Sequence, residues 1–141
     1  MGSALLQGRL VFITGASRGI GRAIAVACAQ AGARVVATDH PSLSCAETVA
    51  AVKAEGQEAW AYPLDVTDSA ACVALAQQVG AEVGAVDTLV NNAGVIIREG
   101  IDSPKAQENI HKVFDVNLFG VFNVMQAFIP TLRQTRGCVV N

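Results

Sequence analysis

The chain has 141 residues, 52% hydrophobic and 16% charged, with a formal net charge of −2. That length suits one domain, residues 1–141, with a real core, and the absence of a basic or acidic run argues against binding to nucleic acid or a membrane surface. No apolar run approaches the roughly 18 residues that span a bilayer, the first ten residues lack a secretory-signal pattern, and four cysteines without CxxC spacing read as reduced, mostly buried thiols of a cytoplasmic protein.

The chain alternates between two textures. "RLVFIT" (9–14) is a continuous apolar run and predicts a buried strand. "RGIGRAIAVACAQA" (18–31) has apolar residues at helical spacing and is followed by Gly32, a natural helix-ending residue. "ARVVATD" (33–39) predicts a second buried strand. Residues 42–56 read as a helix, with Ser44 and Glu47 at capping-box spacing and Gly56 at its end. "EAWAYPL" (58–64) predicts a third, shorter strand, and 67–84 a helix capped by Thr67 or Asp68. "VDTLVNNAG" (86–94) predicts a fourth strand and a loop. Ser103-Pro104 then open a long helix, with Pro at its first position, that runs to about residue 132 and is kinked or ended by Pro130. "GCVVN" (137–141) predicts a fifth buried strand entered through Gly137. Strand and helix in alternation define an α/β protein, a parallel sheet with helices on both faces.

The turn after the first strand is "TGASRGIG" (14–21), with Gly15, Gly19 and Gly21 spaced G-x-x-x-G-x-G. A tight strand-to-helix turn, a backbone that approaches a pyrophosphate and a helix packed close on a sheet each exclude a Cβ. A pyrophosphate then meets the helix N-terminus, where free N–H groups and the macrodipole favour an anion. Asp39, at the end of the second strand, is placed to accept hydrogen bonds from an adenosine ribose. A carboxylate there repels a 2′-phosphate, so it favours NAD over NADP; Arg18, inside the loop, would instead hold that phosphate. His40 and His111 lack metal-ligand company and read as ordinary polar residues, so no metal site is expected.

"TGASRGIG", "LDVTD" (64–68), "NNAG" (91–94) and "DVNLFGVF" (115–122) together resemble the short-chain dehydrogenase/reductase (SDR) family, in the family's order and along essentially the whole chain. The resemblance implies a Rossmann-like three-layer sheet with strand order 3-2-1-4-5, the further strands of that domain lying outside these residues. It implies that Gly15, Ser17, Arg18, Gly19 and Ile20 form a dinucleotide phosphate loop. Asp65 and Val66 would flank the adenine, and Asn91, Ala93 and Gly94 would line the cofactor cleft. Asn117 matches the Asn of the family's Asn-Ser-Tyr-Lys tetrad, where it supports a water-mediated proton relay to the Lys. The aromatic stripe Phe114, Phe119, Phe122, Met125 and Phe128 reads as core packing; in this family the equivalent helix also builds a homodimer or homotetramer interface.

The family moves hydride between nicotinamide and a carbonyl or secondary alcohol, with a Tyr as general acid/base, a Lys that lowers its pKa and a Ser that orients the substrate oxygen. None of these three is matched. The only tyrosine, Tyr62, is followed four residues later by Val66 rather than Lys and reads as structural, and no serine follows Ser103. The expectation is an oxidoreductase of which this chain is the N-terminal part, inactive by itself. The alternatives are a non-catalytic nucleotide-binding module and a structural or interaction fragment. The substrate is left open; "VIIREGIDSPKAQ" (95–107) is expected to wall one side of its entrance.

Overall fold

The computed structural model describes residues 4–141. Residues 1–3, part of the stretch read for a secretory signal, lie outside the described residues. After a short 3-10 turn (Ala4–Leu6), five strands and their crossovers follow: β1 (Leu10–Ile13), α1 (Gly19–Gln30), β2 (Arg34–Asp39), α2 (Ala46–Ala54), β3 (Ala59–Pro63), α3 (Ser69–Glu82), β4 (Thr88–Val90), α4 (Ala106–Phe114), a π-helical segment (Asp115–Gly120), α5 (Val121–Thr135) and β5 (Cys138–Val140). The sheet is wholly parallel, in the order β3-β2-β1-β4-β5.

The central strand shows why the run is apolar throughout. Leu10 and Phe12 project to one face, with Leu75, Val79, Val124, Phe128 and Leu132 from α3 and α5. Val11 and Ile13 project to the other, with Ala25, Ala29 and Val52 from α1 and α2. Both faces of a parallel sheet are covered by crossover helices, so no position on β1 is polar. The α1 layer is built from alanines, which lets that helix lie close to the strands. The α5 layer is built from larger side chains and is anchored by Phe12 against Phe128, ring centroids 4.4 Å apart.

Several sequence expectations need correction. The capping box does not form: Ser44 Oγ accepts from Ala46 N at 3.2 Å, while Glu47 turns away to pair with Arg22 at 2.8 Å. Asp68, not Thr67, caps α3 by accepting from Ala71 N; Thr67 is already held by Asp65. Pro104 lies in a turn, with Ser103 Oγ accepting from Lys105 N, and the helix starts at Ala106. Pro130 does not end α5, which continues to Thr135. It sits on the exposed face, where the Gln126 carbonyl it leaves without an intrahelical donor reaches water. As expected, β5 is entered through Gly137, where a Cβ would strike the Asp87 carbonyl, and Arg136 before it is left-handed, φ 51°. Finally, β5 is not buried: it pairs only with β4, and Cys138 and Val140 are exposed.

The long helix departs furthest from expectation. It is continuous over Ala106–Thr135 and holds an 18-residue window of mean hydropathy 1.3, so by length and composition it is apolar enough to cross a membrane, contrary to the run count above. In the fold it lies on the sheet through Val124, Phe128 and Leu132. Of the aromatic stripe only Phe128 is fully in the core, with Met125 packed at its edge; Phe114, Phe119 and Phe122 are 47–59% exposed. Replacing Phe128 with Ala should lower stability by about 3–5 kcal/mol, measured by urea denaturation, because it empties the seat against Phe12. A loss below about 1 kcal/mol would show that α5 does not depend on that contact.

Candidate functional site

A cleft of about 530 Å³ opens beyond the carboxyl ends of the strands. That volume lies in the range of small-molecule sites, and this end of an open α/β sheet is where ligands bind. Gly15 and Arg18 bound it from the β1–α1 turn, Asp39, His40, Ser42 and Leu43 from the end of β2, and Leu64, Asp65 and Val66 from the end of β3. Asn92, Ala93, Gly94 and Val95 follow β4, and Val116 comes from the π-helical segment.

The β1–α1 turn is shaped by glycine. Gly15 and Gly19 have φ of 65° and 54°, left-handed values that favour a residue without Cβ. A Cβ on Gly15 would stand 2.8 Å from Ala93 Cα, and one on Gly21 would run into the Gly15 carbonyl. The turn therefore packs against the β4 loop on one side and its own helix on the other. Nothing lies within 4 Å of where a Gly19 Cβ would be, so the start of α1 is open. The first N–H groups of a helix have no intrahelical acceptor. Beside them, Ser17 is 5% exposed and its Oγ has no hydrogen-bond partner.

The floor is stitched across β1 and β4. Thr14 Oγ1 accepts from Asn92 N (3.1 Å) and Ala93 N (3.0 Å), and Asn92 Nδ2 donates to the carbonyls of Thr14 (3.2 Å) and Gly15 (3.0 Å). Asp39 is pinned by two backbone donors, Ser17 N at 3.0 Å and His40 N at 2.8 Å. Asp65 accepts from both the N–H and the hydroxyl of Thr67, and those two bonds hold its carboxyl below the usual range; the nearby His40 adds a smaller push the same way.

The long helix holds the far walls. Asn117 is exposed, yet both ends of its amide are used: Oδ1 accepts from Val95 N at 2.8 Å and Nδ2 donates to Val95 O at 2.9 Å. Six residues further on, Asn123 Nδ2 donates to Val66 O at 3.0 Å, and Gly120 lies so close that a Cβ there would strike Val66 Cγ2. A π-helical turn is a frequent mark of a functional position; here it sets the spacing of two grips, one on each wall.

Seven residues singled out from sequence line the cleft: Gly15, Arg18, Asp39, Asp65, Val66, Ala93 and Gly94. Ser17 is buried and Asn91 partly buried, Gly19 is exposed at the open start of α1, Ile20 is 73% exposed on its first turn, and Asn117 acts on the cleft through Val95. Sequence reasoning missed His40 and Leu43 as wall residues and Thr14, Arg22, Thr48, Asn92 and Asn123 as supports, whereas Val95 falls in the stretch 95–107 expected to wall the entrance. The signal for Asn92 was present within the quoted "NNAG". A threonine on the inward face of α2 gave none, because its partners come from distant segments.

This sheet order and strand-to-helix turn define a Rossmann-like α/β protein. The family model for short chain dehydrogenase matches residues 9–141, and the chain belongs to that family. It is 39% identical to 2,3-dihydro-2,3-dihydroxybenzoate dehydrogenase of Bacillus subtilis over 93% of this chain and 50% of that protein. It is also 39% identical to 3-oxoacyl-[acyl-carrier-protein] reductase FabG of Staphylococcus aureus, over 92% of this chain and 53% of the relative. Among solved structures, the Pseudomonas aeruginosa RhlG/NADP active-site complex superposes with a TM-score of 0.85 at 35% identity, covering 96% of this chain and 52% of that one. The chain thus spans about half the length of the relatives it matches.

Tyr62, the one tyrosine, sits on β3 and donates its O–H to Glu82 Oε2 at 2.6 Å. Its surroundings push its pKa up to about 12, through lost solvation first and then the hydrogen bond and charge of Glu82. A phenol shifted upward is the reverse of what a general base near neutral pH needs. Spectroscopic titration of the phenolate should therefore give a single midpoint near pH 12, moving down in Glu82→Gln. A midpoint at or below the free phenol's ~10 would show that the Glu82 contact is not formed in solution.

Proposed function

We propose that the protein to which this chain belongs is an NAD(P)-dependent oxidoreductase of the short-chain dehydrogenase/reductase type, with a carbonyl compound or secondary alcohol as substrate. The observation that carries the reading is Ser17 Oγ, a buried hydroxyl without a partner beside the open first turn of α1. Buried polar atoms are rarely left unpaired unless a ligand or water completes them. A dinucleotide diphosphate fits that place: α1 offers free N–H groups and its positive dipole end, Ser17 offers a hydroxyl, and Gly15 and Gly19 keep the approach clear. The bound dinucleotide supplies or accepts the hydride.

This chain's own residues bind and orient. Asp39 retains acceptor capacity beyond its two backbone donors and would take the ribose hydroxyls. Asp65 and Val66 would flank the adenine, with Asn91, Ala93 and Gly94 lining the nicotinamide side. Asn117 holds Val95 through both Oδ1 and Nδ2. The Ser, Tyr and Lys that complete the family's chemistry are not matched in these 141 residues. The free thiols suit the cytoplasm, and exposed Phe114, Leu118, Phe119 and Phe122 suit a homodimer or homotetramer. The 141-residue species is expected to bind NAD without oxidising a test alcohol; NADH formation above the blank would contradict this.

NAD is the preferred cofactor, because the pinned Asp39 carboxylate meets a 2′-phosphate with like charge. Asp39→Ala should narrow the ratio of NADP to NAD dissociation constants by about tenfold, the scale of one close charge pair at a partly exposed site. An unchanged ratio removes Asp39 as the selector.

A further inference from the structure

All four backbone polar groups of Ala16 and Ser17 are engaged from outside that dipeptide. The Ala16 N–H donates to Thr38 O at 2.9 Å, and the Ala16 carbonyl accepts from Thr48 Oγ1 at 2.6 Å. The Ser17 N–H donates to Asp39 Oδ2 at 3.0 Å, and the Ser17 carbonyl accepts from Arg22 Nη2. Two of these partners are side chains that join each other: Arg22 Nε donates to Thr48 Oγ1 at 3.2 Å. Glu47, next to Thr48, holds Arg22 Nη2 from the solvent side at 2.8 Å. Thr48 is 0% exposed. A threonine hydroxyl inside a helix commonly returns to its own helix four residues back; this one reaches a loop 32 residues away.

The glycines permit the turn but do not hold it. The Ala16 and Ser17 peptide planes are fixed from β2 through their N–H groups and by a side-chain pair, Thr48 of α2 and Arg22 of α1, through their carbonyls. With those planes fixed, the Ser17 side chain keeps its direction, and its hydroxyl is one of two buried side-chain atoms left without a partner among the described residues. Arg22 is not itself well placed as a phosphate grip, because Nε and Nη2 are already engaged by Thr48, Ser17 and Glu47.

We propose that Thr48, acting with Arg22, is a positioning residue for the phosphate loop and sets the affinity for a dinucleotide diphosphate without touching it. The inference rests on the dinucleotide reading above. Thr48→Val keeps the shape and removes the hydroxyl; Thr48→Ser restores it. Arg22→Lys keeps the charge and loses the two-point fork.

The test is calorimetric binding of NAD and ADP, with adenosine followed by NMR titration. Thr48→Val and Arg22→Lys should each weaken NAD and ADP by about tenfold, the scale of one lost hydrogen bond. Adenosine, which has no phosphate, should change by less than about twofold, and Thr48→Ser should bind NAD as the unaltered chain does. The proposal is overturned if Thr48→Val binds NAD unchanged, if adenosine falls as far as ADP, or if Arg22→Lys binds ADP unchanged. Should Thr48→Val fail to fold, the exposed-side variant Arg22→Lys decides between the same two outcomes. Binding by the unaltered chain together with insensitive variants removes the positioning role alone; absence of NAD and ADP binding by the unaltered chain removes the dinucleotide reading and this inference with it.

Discussion

The cleft depends on the contact between the end of β1 and the end of β4. Four hydrogen bonds cross it between Thr14–Gly15 and Asn92–Ala93, two accepted by the Thr14 hydroxyl and two donated by the Asn92 side-chain amide. Gly15 is pressed so closely on Ala93 that no side chain fits between them. These bonds close backbone groups that leave the parallel ladder where the strands end, and an unpaired buried backbone group there would cost as much as a lost hydrogen bond. They also commit the chain to a sharp turn, and that turn aims α1 at the cleft.

From that seam the remaining supports radiate. Thr48 and Arg22 hold the outer half of the turn. Asp39 ties the turn to the end of β2. On the opposite side, one helix grips both far walls, Val95 through Asn117 and Val66 through Asn123. That helix also carries exposed Phe114, Leu118, Phe119 and Phe122.

Much of this was legible from residue patterns. All five strands followed from apolar runs alternating with helical periodicity, their order from the family resemblance, and the glycine spacing marked the turn that the cleft is built on. The details that failed are those in which a side chain had a choice of partners. Glu47 had capping-box spacing, but Arg22 offered a charge. The cap of α3, left open between Thr67 and Asp68, is Asp68 because Asp65 already holds the threonine. The aromatic stripe kept helical spacing, yet spacing cannot say which of Phe119, Phe122 and Phe128 meets the sheet; only the position of β1 and its Phe12 decides that. Strand β5 read as buried because its residues are β-branched, whereas burial depends on what packs beside it. Thr48 and Asn123 were invisible for the same reason, since each serves a segment far away in sequence.

The central claim is that the open first turn of α1, with Ser17 beside it, receives the diphosphate of a nicotinamide dinucleotide. Backbone amide NMR during titration with NAD tests it directly. The account predicts the largest shifts at Ser17, Gly19, Ile20 and Gly21, with smaller ones at Asp39, Val66 and Gly94. Saturable NAD binding that leaves those four loop amides unmoved would contradict it.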